Sequence, residues 1–274
     1  MATSTASAEA MAAPAHRAVF VSHGAPTIVL DGSPASRFLS GLGAALGRPR
    51  AVVVASAHWT THRPAVSAAA WPETIHDFGN FDDRLFAMRY AAPGAPALAA
   101  DVARRLAAAG IACDVDPARG LDHGAWTPLM LMYPDAGVPV VSLSVQPRAD
   151  AAHHVAVGRA LASLAAEDVL VLGSGSATHD LRRFRGQGID SPPVEDARRF
   201  SAWLRHAAEA GDEAAISAVW DAPEAVSSHP TPEHLYPFHV AFGAGQGAGE
   251  LLHHSFAYGI LALDAYGFGG ARSA

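Results

Sequence analysis

Short apolar runs alternate along this chain with segments in which apolar residues recur every three or four positions. A run of four to eight apolar residues is typical of a buried strand. Recurrence of apolar residues every three or four positions is typical of a helix that packs on one face. The predicted strands are residues 18–21, 51–57, 111–115, 138–145, 169–172 and a closing strand at 256–264. The predicted helices are residues 34–46, 96–109, 129–132, 151–166, 194–210, a shorter one ending near 220, and 239–242. This alternation predicts an α/β fold with a central, mostly parallel (mixed) sheet and helices on both faces.

The pattern shows neither an internal repeat nor a linker, so we expect one domain over residues 16–274. Residues 1–15 are rich in alanine, serine and threonine and have no apolar periodicity. They also lack the basic start and continuous apolar centre of a secretory signal, so we expect a disordered tail.

Composition narrows the class of protein further. Half of the residues are hydrophobic and 16% are charged, which is typical of a compact globular chain. The net charge of −7 and the absence of any lysine or arginine run argue against a nucleic-acid partner. No apolar run reaches the roughly 18 residues that a membrane span requires. The single cysteine, Cys113, excludes an intrachain disulfide and fits a cytoplasmic protein.

Two of the 15 histidines follow predicted strands at equivalent points. His23 comes just after the strand at 18–21, and His58 just after the strand at 51–57. If these strands are parallel neighbours, both side chains lie at the sheet edge where open α/β sheets bind their ligands. The alternative is that both are simply hydrogen-bonded polar residues at strand ends.

A third histidine, His234, lies in a segment that three prolines stiffen, residues 229–237. Such a segment suits a side chain that must be held in place. We therefore predict that His23, His58 and His234 bind one metal ion. Three protein ligands leave coordination positions free, which is the pattern of catalytic rather than structural metal sites. An extended segment would point Glu233 to another side, so this carboxylate is not expected among the ligands.

Four further residues are candidates for the same site. His123 is either a general acid/base or only the first residue of a helix that Asp122 caps. His179 follows the strand at 169–172 and is a fourth ligand, a second acid/base or a hydrogen-bonding neighbour. His229 is either a substrate contact or a structural residue. Phe78 lies in the irregular, aromatic segment 71–96, which we expect to cover the site and contact the substrate.

Six short motifs, five of which contain one or two of these residues, occur together in one order. They are residues 22–26 (SHGAP), 56–59 (SAHW), 74–79 (TIHDFG), 90–94 (YAAPG), 121–126 (LDHGAW) and 229–237 (HPTPEHLYP). The set resembles the class III extradiol ring-cleavage dioxygenases of the 4,5-DOPA dioxygenase type, which are related to the catalytic B subunit of protocatechuate 4,5-dioxygenase. The resemblance spans about residues 18 to 266.

This resemblance implies an Fe(II) enzyme that opens a catechol next to the diol with O2. It implies His23, His58 and His234 as ligands, His123 as the acid/base and His179 near the metal. The common iron triad contains a carboxylate, whereas the third residue here is histidine, a trait that DOPA-type members share. Some members hold zinc, so Zn(II) in the same site is the alternative metal.

Two other functions remain open at this stage. A zinc hydrolase would use three histidines and a water molecule. A non-catalytic binding protein similar to the Memo proteins would have the fold without a working acid/base, and His123 counts against that alternative.

Overall fold

The structure is a computed structural model that describes residue 16 and residues 18–270, so the predicted tail lies outside the described residues. Eight strands form the main sheet: β1 (Ala18–Ser22), β2 (Ala51–Thr60), β3 (Ala65–Ser67), β4 (Asp114–Asp116), β5 (Val140–Val145), β6 (Val169–Gly175), β7 (Gly249–His253) and β10 (Ala265–Phe268). Their order across the sheet is β4-β3-β5-β2-β6-β1-β10-β7. A separate two-stranded sheet pairs β8 (Phe256–Ala257) with β9 (Leu261–Ala262).

Ten α-helices connect and cover the strands in the described part of the chain. They are α1 (Ile28–Asp31), α2 (Pro34–Leu46), α3 (Asp83–Ala87), α4 (Pro96–Ala108), α5 (His123–Met132), α6 (Ala151–Leu161), α7 (Glu195–Ala210), α8 (Glu213–Ser217), α9 (Ala225–Ser228) and α10 (Tyr236–Gly245). Among these residues, none of the helices combines the length and the apolar character needed to cross a membrane.

The mixed α/β architecture is the one that the sequence predicts. The four central strands β5, β2, β6 and β1 run parallel, while β10 pairs antiparallel with both β1 and β7. Strands covered on both faces need apolar residues at every position, which explains the unbroken apolar runs.

Side chains that alternate along β1 enter two separate cores. Val19 and Val21 pack on the face that α1, α2 and α5 cover. Phe20 packs on the opposite face, where its ring lies 5.4 Å from that of Phe238 in α10. Helices therefore lie on both faces of the sheet.

The predicted closing strand at 256–264 is wrong. That segment forms only the small β8–β9 hairpin, and the chain closes the sheet with β10 after an additional edge strand, β7. Residues 249–253 are partly exposed and lack a continuous apolar run, so the pattern gave no signal for β7.

Helices α6 and α10 touch backbone to backbone, and two glycines permit this approach. A Cβ atom on Gly158 would lie 2.0 Å from the carbonyl oxygen of Val240, and one on Gly243 would lie 2.1 Å from that of Val155. By contrast, a Cβ atom added to Gly41, on the exposed side of α2, would have no other atom within 4 Å.

We expect Gly158→Ala to lower the free energy of unfolding by about 1–3 kcal/mol, because the added methyl group forces the two helices apart. The control is Gly41→Ala, which should be neutral or raise stability by up to about 1 kcal/mol through helix propensity. Urea denaturation of both variants measures the difference. Equal stabilities would contradict a backbone-to-backbone contact between α6 and α10.

Candidate metal centre

Three imidazoles from distant parts of the chain converge at one edge of the sheet. His23 directly follows β1, His58 lies near the end of β2, and His234 lies two residues before the start of α10. The Nε2 atom of His58 lies 3.0 Å from Nε2 of His23 and 3.3 Å from Nε2 of His234. Nitrogens bound at about 2.0–2.1 Å to a tetrahedral ion lie about 3.4 Å apart. The observed spacing is therefore close to that of a shared metal ion.

Strand β6 brings the first two histidines together because it lies between β1 and β2 and runs parallel to both. His23 occupies the predicted place. His58, however, does not follow β2 but lies within it, at a register shift between Ser56 and Thr60. An irregularity of this kind turns a side chain away from strict alternation, and here the strand continues past the histidine.

Glycine allows the third histidine to approach the sheet. A Cβ atom on Gly175, at the end of β6, would lie 2.1 Å from the carbonyl oxygen of His234. The segment 229–237 therefore lies directly against the strand. It forms turns rather than an extended chain, because Leu235 and Tyr236 donate backbone hydrogen bonds to the carbonyl of Pro232.

The other ring nitrogen of His23 fixes its tautomer. Nδ1 lies 3.0 Å from the hydroxyl oxygen of Ser174, and that hydroxyl donates its own hydrogen to the carbonyl of Gly124. The hydroxyl is thus the acceptor for His23, so Nδ1 carries the hydrogen and Nε2 presents a lone pair.

Carboxylates face the corresponding nitrogens of the other two imidazoles. Nδ1 of His58 lies 3.4 Å from Oδ2 of Asp77, and Nδ1 of His234 lies 3.1 Å from Oε1 of Glu233. Metal-binding histidines commonly have such acceptors behind them, because the acceptor fixes the tautomer and the ring orientation. Three Nε2 lone pairs that face each other repel one another unless a cation lies among them, so this donor set fits a divalent metal.

Burial keeps these imidazoles neutral. It lowers the pKa values of His23 and His234 well below the ordinary value and, together with repulsion from His123, lowers the pKa of His58 to about 3. Burial also lowers the pKa of His179 to about 4. Neutral imidazole is the form that binds a metal, so the four side chains are available as ligands at neutral pH.

His123 is the first residue of α5, and Asp122 caps the helix by accepting a hydrogen bond from the backbone of Ala125. Its ring centroid lies 3.7 Å from that of His58, and its Nδ1 lies 3.0 Å from Oδ1 of Asp77. This last contact is a close charge contact rather than an aligned hydrogen bond. One nitrogen of His123 also lies within 4.8 Å of ligand atoms of His23 and His58.

His179 stacks on His234 with ring centroids 3.4 Å apart and an angle of 11° between the ring planes. The lone pair of an imidazole lies in the ring plane. Two rings stacked in nearly parallel planes therefore do not direct lone pairs at one ion. Of the three alternatives for His179, the stacking favours a neighbour of the metal over a fourth ligand. Ligand atoms of His179, Glu233 and His234 also lie within 4.8 Å of one another.

The two predicted substrate contacts occupy different environments. Phe78 faces the site, with its ring 5.6 Å from that of His123, and it packs on Phe81 and Phe86. His229 is only 2% exposed, and its Nε2 bonds to the carbonyl of Ala177. The predicted contact of His229 with a substrate stays a prediction. The burial of this side chain does not favour such a contact.

Three polar residues at the site were missed by reasoning from the sequence: Asp77, Ser174 and Glu233. The expectation for Glu233 rested on an extended segment, whereas the turn places its carboxylate beside His234. Asp77 lies inside the motif at 74–79, and Ser174 lies between two glycines at the end of β6. Motif membership was the only available signal for Asp77.

This chain is similar to known proteins along most of its length. The family model for the catalytic LigB subunit of aromatic ring-opening dioxygenase matches residues 18–269. A Beta vulgaris protein named 4,5-DOPA dioxygenase extradiol is 42% identical over 261 residues, covering 91% of this chain and 95% of the relative. The protein of that name from Escherichia coli (strain K12) is 38% identical over 243 residues, covering 84% of this chain and 85% of the relative. A crystal structure of an uncharacterized Escherichia coli K12 protein, 32% identical, aligns with a TM-score of 0.76 over 92% of this chain and 99% of that chain.

Proposed function

This chain belongs to the family of the catalytic LigB subunit of aromatic ring-opening dioxygenase, and from that premise we propose that it opens the ring of a small catechol, DOPA-like or other, with O2. The reaction breaks one ring C–C bond next to the diol together with the O–O bond. Both oxygen atoms enter the product, so the ring carbons are oxidised and O2 is reduced. The observation that supports this proposal most directly is that three Nε2 atoms converge beside His123.

We assign the metal to His23, His58 and His234, and we propose Fe(II) as the metal of the active enzyme. The bound metal supplies a template and an electron conduit between the diol and O2. Zn(II) suits the same three nitrogens but has no redox chemistry. A zinc-loaded protein is therefore expected to bind its metal and remain inactive as a dioxygenase.

His123 is the proposed general acid/base. A catechol must give up a proton to react, and the imidazole of His123, in contact with His58, is placed to accept it. Since the Nδ1 of His123 faces Asp77, the opposite nitrogen, Nε2, is the one that exchanges protons. His179, stacked on His234, is the second proposed proton-handling group at the site.

Phe78 is the proposed contact for the substrate ring. Its ring lies next to that of His123, and it also packs on Phe81 and Phe86. The three phenylalanines form one continuous aromatic surface. Aromatic side chains pack against a flat ring and exclude water at the same time. Exclusion of water protects reactive species formed during ring opening.

The test is O2 uptake by the protein after anaerobic loading with Fe(II), measured against a panel of catechols. We expect stoichiometric O2 consumption and a yellow semialdehyde product with at least one catechol, and no O2 uptake by the zinc-loaded protein. Hydrolytic activity that requires zinc and ignores O2 would instead identify a hydrolase. Stoichiometric iron without O2 uptake on any catechol would also overturn the proposal.

A further inference from the structure

One carboxylate lies between two histidines to which we assign different roles. Oδ2 of Asp77 is 3.4 Å from Nδ1 of His58, and Oδ1 is 3.0 Å from Nδ1 of His123. Oδ1 also accepts a hydrogen bond of 2.9 Å from the backbone nitrogen of His123. Asp77 therefore contacts both a proposed metal ligand and the proposed acid/base.

The surrounding chain holds this carboxylate in place although it lies in an irregular segment. Two residues before it, the backbone nitrogen of Ile75 donates to the carbonyl of Leu121, and the carbonyl of Ile75 accepts from the indole nitrogen of Trp126. These contacts fasten the segment to the start of α5. The position of Asp77 is thus set by the same helix that carries His123.

The two imidazoles that Asp77 contacts are themselves in close contact, with ring centroids 3.7 Å apart. Each must keep its hydrogen on Nδ1 if its Nε2 is to face the site. A neutral imidazole can place that hydrogen on either nitrogen, and the acceptor beside it decides which. A carboxylate is negatively charged and has no hydrogen to donate, so the Asp77 oxygens that face both Nδ1 atoms favour the Nδ1–H form of each ring.

We propose that Asp77 is a positioning residue that fixes the ring orientation and the tautomer of both His58 and His123. A single carboxylate would then support both metal affinity and turnover. The part that concerns turnover rests on the proposed function, and the part that concerns metal affinity does not. An asparagine at this position has one oxygen acceptor and an NH2 donor. It can turn an oxygen toward one of the two Nδ1 atoms but not toward both.

Glu233 provides a matched control at the same site. Its Oε1 faces Nδ1 of His234 at 3.1 Å and also accepts from the hydroxyl of Thr231 at 2.9 Å. Among the described contacts it has none with His123. Glu233→Gln therefore replaces the charged acceptor behind a proposed ligand with a neutral one and leaves the contacts of His123 unchanged.

The experiment compares Asp77→Asn and Glu233→Gln in two separate assays. Chelator competition with Fe(II) and with Zn(II) gives the metal affinity, and steady-state O2 uptake at saturating Fe(II) gives kcat and KM. We expect both variants to bind metal about 10- to 100-fold more weakly, as the loss of an outer partner of a metal ligand typically causes. At saturating Fe(II), Asp77→Asn should lower kcat by at least about tenfold, with KM little changed.

A double-mutant cycle separates the two effects of Asp77. In a His123→Ala background, Asp77→Asn should cause no further loss of kcat but should weaken metal binding as much as before. Asp77→Glu retains a charged acceptor and should recover part of both losses, which general unfolding would not permit. Circular dichroism of each variant checks the fold.

Two results would overturn the proposal. One is wild-type metal affinity in Asp77→Asn, and the other is an unchanged kcat for that variant at saturating Fe(II). If the wild-type protein cleaves no catechol, the proposed function fails. The chelator assay with Zn(II) still decides whether Asp77 supports His58, so the two failures are distinguishable.

Discussion

His58→Ala is expected to abolish stoichiometric metal binding. The Nε2 of His58 is the atom common to both short contacts, 3.0 Å to His23 and 3.3 Å to His234, so its removal leaves two nitrogens without their shared neighbour. Affinity should fall by more than the roughly 100-fold that loss of an outer partner causes. Metal analysis after loading with one equivalent of Fe(II) or Zn(II), followed by dialysis, measures the loss.

His62→Ala is the control for this variant, because His62 is exposed and lies only four residues further along the chain. It should retain wild-type metal content. A His58→Ala protein that still held one equivalent of iron would remove His58 from the proposed ligand set.

His123→Ala is expected to keep its metal and to lose most of its turnover. Loss of a general acid/base typically costs about 10²- to 10⁴-fold in rate, and His123 is not among the three proposed ligands. The measurement pairs metal content with kcat at saturating Fe(II) on the best catechol of the panel.

Loss of metal from His123→Ala would assign His123 to the ligand set instead. That outcome is a definite structural alternative, because ligand atoms of His23, His58 and His123 lie within 4.8 Å of one another. The 3.7 Å contact between the rings of His58 and His123 also permits His123→Ala to loosen His58. His123→Gln fills more of the same space and should retain metal if His123 is not a ligand.

The sequence predicts the central part of the fold well because each central strand is buried on both faces. Helices α2 and α4 begin at the predicted prolines, Pro34 and Pro96. The prediction fails toward one end of the sheet, where the edge strand β7 is partly exposed and its buried neighbour β10 is only four residues long. Edge strands have weak apolar patterns, so pairing with a neighbour determines them.

The convergence of the imidazoles follows from strand order, which local patterns indicate only indirectly. His23 and His58 meet because β6 lies between their strands, and no local feature of residues 51–60 indicates the register shift near His58. Asp77 precedes His123 by 46 residues in an irregular segment, so their contact is purely tertiary. Glu233 was misplaced because prolines indicate stiffness but do not distinguish a turn from an extended segment.

The separation of the three proposed ligands along the chain has a consequence for biosynthesis. His23 leaves the ribosome first, Gly175 of β6 follows, and His234, which lies against Gly175, emerges last of the three. A nascent chain that has not yet reached residue 234 lacks one of the three nitrogens, so the complete ligand set forms only after that residue has been made. Once bound, a metal at 100 times its Kd would stabilise the native state by about 2.7 kcal/mol. Metal supply in the cell would therefore affect the steady-state abundance of this protein as well as its activity.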